Sequence, residues 1–168
     1  MSILLIGFMG AGKSTVGKAL GEAVGKPFCD LDQLIEESCQ MTIPELFNQK
    51  GESAFRQAET KALKKVLQND LVIACGGGIV LESVNRELLV NHPKVVYLQA
   101  KPEALFHRIQ QDEKNIRPLA DEKSIEELQT ILKSRLPLYE SVASIQVDTS
   151  GKSPERITAE ILERLGAL

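Results

Sequence analysis

The sequence predicts an α/β protein with a parallel sheet covered by helices on both faces. Three observations carry this. Short apolar runs alternate with longer amphipathic ones from end to end, the pattern of repeated strand–helix units. The first strand-to-helix junction carries the glycine-rich loop Gly7-Phe8-Met9-Gly10-Ala11-Gly12-Lys13-Ser14. The chain is 168 residues long with no internal repeat or low-complexity linker, which is one domain's worth and enough to bury a core, so a single domain over 1–168 is expected.

The elements follow in order. Ile3 to Ile6 is a short apolar strand, and Lys13 to Val24 a helix. Pro27 to Leu31 is a brief strand ending in acid, with a carboxylate pair at Asp30 and Asp32. Asp32 to Cys39, Ile43 to Gln49 and Glu52 to Gln68 read as helices. Leu71 to Ala74 is a buried-strand run that ends at Gly76-Gly77-Gly78. Glu82 to Val90 is helical and Val95 to Leu98 a strand. Pro102 to Gln110 is a helix with proline suited to its first turn. Ser124 to Leu136 is helical, and Pro137 predicts a kink or an early end there. Ser144 to Val147 is the last strand and Pro154 to Leu165 the closing helix. The segment from Gln111 to Lys123, QDEKNIRPLADEK, is polar and charged, a surface loop or a mobile lid.

Composition narrows the class. The formal charge of −3 gives no long-range attraction to nucleic acid or an anionic membrane, so an anionic substrate must be held by local cations. Hydrophobic content of 43% and charged content of 26% fit a soluble globular protein. Cys29, Cys39 and Cys75 form no CxxC, and with His92 and His107 far apart in sequence they suggest reduced thiols in a cytoplasmic protein rather than a zinc site. The N-terminal apolar run is too short for a signal peptide, and no run is long enough to span a bilayer.

The glycine-rich loop matches G-x-x-x-x-G-K-[ST] in full, with Thr15 following. Glycines let consecutive backbone N–H groups converge on an anion, and the following helix adds its positive end. Lys13 can reach the outer phosphates of a nucleoside triphosphate and the Ser14 hydroxyl can ligate Mg²⁺. A GTPase would carry DxxG mid-chain and NKxD later. DxxG occurs only at 148–151, with no NKxD after it. The strand at 71–74 runs into Cys75 and glycines, not into the acidic pair of a motor ATPase. A small kinase enclosing donor and acceptor remains.

Four further groupings fit that reading. Residues two apart in extended backbone point the same way, so Asp30 and Asp32 can divide work between Mg²⁺ and an acceptor hydroxyl; the alternative is a strand end with Asp32 as helix cap. Arg56 and Glu59 sit at i, i+3, either a surface ion pair or an arginine oriented to fork onto a substrate carboxylate. Three consecutive glycines mark close approach to backbone, by a ligand or in a tight turn. Arg135 and Tyr139, at i, i+4, flank Pro137; the plain alternative is a core tyrosine with a snorkelling arginine.

Together these residues resemble the shikimate kinase family: GFMGAGKST, DLD at 30–32, GExxFRxxE at 51–59, GGG at 76–78, RPLA at 117–120 and RLPLYESVA at 135–143. The resemblance implies a three-layer P-loop kinase fold with a five-stranded parallel sheet of order 2-3-1-4-5 and a mobile lid at about 111–124. It implies transfer of the ATP γ-phosphate to the 3-hydroxyl of shikimate, within aromatic amino-acid synthesis, by a cytoplasmic monomer with no nucleic-acid or membrane partner. By the same resemblance Gly10, Ala11, Gly12, Lys13, Ser14 and Thr15 hold ATP, with Arg108 and the 149–154 loop up to Pro154 as the adenine clamp. Ser14 and Asp30 hold Mg²⁺, the latter through water. Asp32 binds the acceptor hydroxyls and serves as base, while Arg56 and Arg135 hold the carboxylate. Gly77 and Gly78 contact shikimate through backbone, Phe47 and Phe55 wall the pocket, the acceptor segment spans about 32–60, and Arg117 closes onto the phosphates. Ala120 stands where the family's lid usually has leucine. A kinase of another polyol acid such as gluconate, or a nucleotide-sensing domain without turnover, are the competing readings.

Overall fold

The structure, a computed structural model, describes residues 1–111 and 125–166. Five strands form one parallel sheet: β1 (Ile3–Ile6), β2 (Phe28–Asp30), β3 (Val72–Ala74), β4 (Val95–Gln99) and β5 (Ile145–Asp148). Their order is β2-β3-β1-β4-β5, as the resemblance implied. Register follows from apolar runs meeting at the centre: Leu5 lies beside Ala74 on one side and Val96 on the other. Every residue of β1 and β3 is buried, as a sheet covered on both faces requires.

Helices α1 (Lys13–Val24), α2 (Leu31–Cys39), α3 (Ile43–Val66), α4 (Ser83–Val90), α5 (Pro102–Gln111), α6 (Ile125–Val142) and α7 (Pro154–Arg164) cover both faces. α1 packs against α7, while α4 packs against α6. Gly17 and Gly21 let α1 lie close to Phe28 and the turn at Lys26; a Cβ on Gly21 would come within 2.8 Å of the Lys26 carbonyl. α3 contains one non-helical residue, Gly51 at φ 83°, which divides it where the sequence separates 43–49 from 52–68. Its start is a full capping box: Glu45 N donates to Thr42 Oγ1 and Thr42 N to Glu45 Oε2.

Two sequence expectations are corrected here. Pro137 does not end its helix, and α6 runs on to Val142. Proline forfeits one backbone bond, but Arg135, Tyr139 and Val142 are buried on the same helix, and that anchoring outweighs it. The second strand is shorter than 27–31, because helical backbone begins at Leu31. Asp30 caps that helix through Oδ1, which accepts from the N–H groups of Asp32 and Gln33 at 3.0 and 3.2 Å. Asp32 is therefore a first-turn residue and not the cap. The two carboxylates do not share a strand face.

The candidate active site

The glycine-rich loop joins β1 to α1 at the C-terminal edge of the sheet. Gly12, the residue before α1, has φ 89°, and no side chain caps the helix. The first amides of α1 thus remain open to an anion. Loop packing is tight behind them: a Cβ on Gly7 would lie 2.7 Å from the Leu98 carbonyl, and one on Gly10 would lie 2.9 Å from that of Leu105. Ala11 is buried, while Ser14 and Thr15 are exposed on the first turn of α1. Lys13 Nζ donates to the carbonyls of Gly7 and Phe8 at 2.7 and 3.0 Å, arching over its own loop. Ser14 Oγ donates to Asp30 Oδ2 at 2.8 Å, so Asp30 faces the loop with one oxygen and caps α2 with the other.

On the far side of the loop, Arg108 of α5 donates to the Gly10 carbonyl at 3.1 Å and to Thr149 Oγ1 at 3.3 Å, tying the loop to the segment that follows β5. Thr149 is buried, and its hydroxyl donates to the Gln99 carbonyl. Pro154 opens α7 just beyond, with Ser153 as cap. Arg108, the loop and the segment at 149–154 therefore adjoin.

A second cluster forms where β3 leads into Gly76-Gly77-Gly78. None of the three has positive φ, so the run is there for space and not for left-handed backbone. A Cβ on Gly76 would lie 2.7 Å from Asp32 Oδ1 and 3.2 Å from Glu59 Oε2. One on Gly78 would lie 2.6 Å from Arg56 Nη2, and one on Gly77 would lie 3.7 Å from Arg135 Nη1 and 3.4 Å from the Met9 nitrogen of the loop. The protein's own charged side chains thus account for Gly76 and Gly78, while a Cβ on Gly77 would meet only ordinary contacts; the run also turns, with Ile79 N donating to the Gly76 carbonyl. Asp32, Arg56 and Arg135 converge on one turn, beside the phosphate loop.

Both guanidiniums are largely buried. Arg56 Nη1 pairs with Glu59 Oε1 at 3.0 Å, while Nη2 reaches the exposed Glu52 at 3.4 Å. Glu59 has no exposed surface, and burial pushes its carboxyl up to about 7, against the opposing pull of Arg56. Among the described residues, Arg56 Nε and Glu59 Oε2 are buried without a hydrogen-bond partner. Arg135, only 6% exposed, is a buried cation and not a snorkelling one. Its Cζ lies 5.8 Å from the Phe8 ring centre, and that of Arg56 lies 5.1 Å from the Phe55 ring. Phe55 stacks at a tilt on Phe47, centroids 4.9 Å apart, walling this side. Tyr139 is fully buried, and its hydroxyl donates to the Gly77 carbonyl. Arg117 and the expected lid from 112 to 124 fall outside the described residues, while Gln111 ends α5.

Sequence reasoning missed Phe8 as a site residue. It reads as one of the variable positions of the loop motif, and nothing local marks it. Thr149 entered only through the 149–154 loop that the resemblance supplied, its DxxG being read as chance.

A nucleotide-phosphate loop placed against a buried pair of arginines and a carboxylate defines a P-loop kinase for a small anionic acceptor. Comparison with known proteins narrows this. The sequence model of the shikimate kinase family matches residues 9–166, and the chain belongs to that family. It is 46% identical to the shikimate kinase of Enterococcus faecalis over 98% of both chains, and 47% identical to that of Lactococcus lactis over 99% of both. Among solved structures, the shikimate kinase of Acinetobacter baumannii in complex with shikimate superposes with a TM-score of 0.92 at 37% identity, covering 99% of this chain and 93% of that one. A gluconokinase from Sinorhizobium meliloti, 21% identical with a TM-score of 0.63, shares the fold.

Proposed function

We infer that the protein transfers the γ-phosphate of ATP to the 3-hydroxyl of shikimate, giving shikimate 3-phosphate, one step in making chorismate and the aromatic amino acids. Family membership supports the reaction class. The observation that carries the acceptor assignment is the convergence of Arg56 and Arg135 on the glycine turn next to the phosphate loop. Two buried cations with an unpartnered Arg56 Nε suit a carboxylate that forks between them.

Position, where it is described, and the family resemblance support the following roles. Gly10 to Thr15 hold the phosphates through loop amides and Lys13, while Arg108 and the segment up to Pro154 border the base. Ser14 and Asp30 face each other as hydroxyl and carboxylate, an oxygen pair that suits Mg²⁺, with Asp30 acting through water. Mg²⁺ there would neutralise charge on the β- and γ-phosphates. Asp32 takes the proton of the 3-hydroxyl as its oxygen bonds to the γ-phosphorus and the bond to the bridging oxygen of ADP breaks. Gly77 and Gly78 offer backbone, Phe47 and Phe55 wall the pocket within the acceptor segment of about 32–60, and Arg117 of the 111–124 lid neutralises the moving phosphate. Phosphoryl transfer asks for this alignment and charge placement more than for covalent help.

The same reading takes 1–168 as a single-domain monomer in the cytoplasm. Its cysteines are all free thiols, and among the described residues no helix is long and apolar enough to cross a membrane. A coupled ADP-release assay with shikimate, gluconate and nucleoside monophosphates tests it: turnover with shikimate alone is expected, and turnover with gluconate alone would reassign the acceptor.

A further inference from the structure

The acceptor pocket has a part that the phosphate chemistry does not use, the Tyr139 hydroxyl. The ring lies in the core, stacked on Tyr97 with centroids 5.0 Å apart. Its hydroxyl, fully buried, donates to the Gly77 carbonyl. Burial holds the pKa of this hydroxyl up at about 12, against the opposing pull of the Arg135 charge one helical turn earlier. The hydroxyl therefore stays a donor at any working pH. Arg135 Nη1 also lies 3.7 Å from where a Gly77 Cβ would stand.

One consequence is geometric. The chain has no cis peptide among the described residues, so the Gly77 carbonyl and the Gly78 N–H point in opposite directions. Pinning the carbonyl towards Tyr139 turns the Gly78 N–H away from it. Among the described residues no backbone carbonyl outside the helices and strands accepts from that N–H, and Gly78 packs against the Arg56 guanidinium. The flanking peptides are set by the Ile79 N–H on the Gly76 carbonyl and the Leu81 N–H on the Gly78 carbonyl, which leaves the plane between Gly77 and Gly78 to the Tyr139 contact.

We propose that Tyr139 is a positioning residue for the acceptor: its hydroxyl locks the Gly77–Gly78 peptide so that the Gly78 N–H faces the acceptor. The inference rests on the proposed shikimate site and assigns a role that neither packing nor phosphate chemistry requires. Pro137 is tolerated within α6 for the same reason, since Arg135 and Tyr139 must project from one helix on either side of it.

Tyr139→Phe keeps the ring and removes only the hydroxyl. The KM for shikimate should rise about ten-fold, the loss of roughly one buried hydrogen bond with its partner left unsatisfied, while kcat and the KM for ATP hold. Tyr97→Phe, in the same ring stack, should leave all three constants at wild-type values. A purely structural hydroxyl would lower the melting temperature of Tyr139→Phe and leave the shikimate KM unmoved, and that result overturns the inference. So does a fall in kcat with KM unchanged. A second readout needs no variant: shikimate added to ¹⁵N-labelled wild type should shift the Gly78 amide resonance, and an unmoved resonance under saturating turnover conditions contradicts the role. If wild type neither binds nor phosphorylates shikimate, the acceptor assignment falls and this inference with it; an active wild type with an indifferent Tyr139→Phe removes the inference alone.

Discussion

Glu59 is the residue on which the charge balance of the proposed acceptor pocket turns. It is buried beside Arg56 and Asp32, with Arg135 also in its field. Its carboxyl sits at about 7 against an ordinary 4.5, so the folded chain holds this proton more tightly than the unfolded one. The stability it contributes is full below pH 4.5 and is lost as pH rises through about 7, by up to about 3 kcal/mol. Urea midpoints measured from pH 4.5 to 8 should therefore fall less steeply with pH in Glu59→Gln than in wild type. Identical slopes would mean that Glu59 stays ionised throughout. Arg135→Ala tests the neighbouring cation. It should weaken shikimate binding by about 2–5 kcal/mol, mostly because the acceptor carboxylate loses its partner. Calorimetry with shikimate reads it directly, and unchanged affinity would take Arg135 out of the pocket.

Two elements do most of the positioning, the glycine turn after β3 and the start of α2. Gly78→Ala would drive a methyl group into the Arg56 guanidinium. Displacement of that side chain by about 1 Å is enough to cost about 10²-fold in kcat/KM for the acceptor, with the KM for ATP unchanged; steady-state kinetics with each substrate varied in turn will show whether the loss is confined to shikimate. At α2, Asp30→Asn keeps an oxygen for the Asp32 and Gln33 amides but removes the charge facing Ser14. The Mg²⁺ concentration for half-maximal turnover should rise about ten-fold while the melting temperature stays near wild type. If both move together, Asp30 is chiefly a cap. These elements also mark the limits of sequence reading. The glycine run announces close approach, but not that Arg56, Glu59 and Asp32 are what approaches, because those contacts join residues distant in sequence. The Asp30–Asp32 pair looks like two carboxylates on a strand, since the boundary between strand and helix lies at Leu31 and the cap geometry that sets it is invisible locally.

For the whole molecule, the alternation of apolar runs and amphipathic helices was enough to place every strand of the described sheet. Strand order came through resemblance, since nothing local in β2 says that it pairs with β3 and not with β1. The phosphate loop was legible because one contiguous motif carries it. The acceptor pocket was legible only in pieces, as four short motifs whose meeting point is a property of the fold. The proposed mechanism also asks for Arg117, which lies outside the described residues; Arg117→Ala should lower kcat strongly and leave the shikimate dissociation constant largely intact, as read by kinetics and calorimetry on one preparation. Loss of shikimate binding with normal turnover at saturation would overturn that role. The proposed acceptor site depends above all on two buried guanidiniums holding the acceptor's carboxylate beside the phosphate loop. A crystal structure with shikimate and MgADP tests it most directly. The carboxylate should lie within about 3 Å of both Arg56 and Arg135 nitrogens, with a ring hydroxyl on Asp32; a carboxylate bound elsewhere, with the two arginines turned from it, would contradict the account.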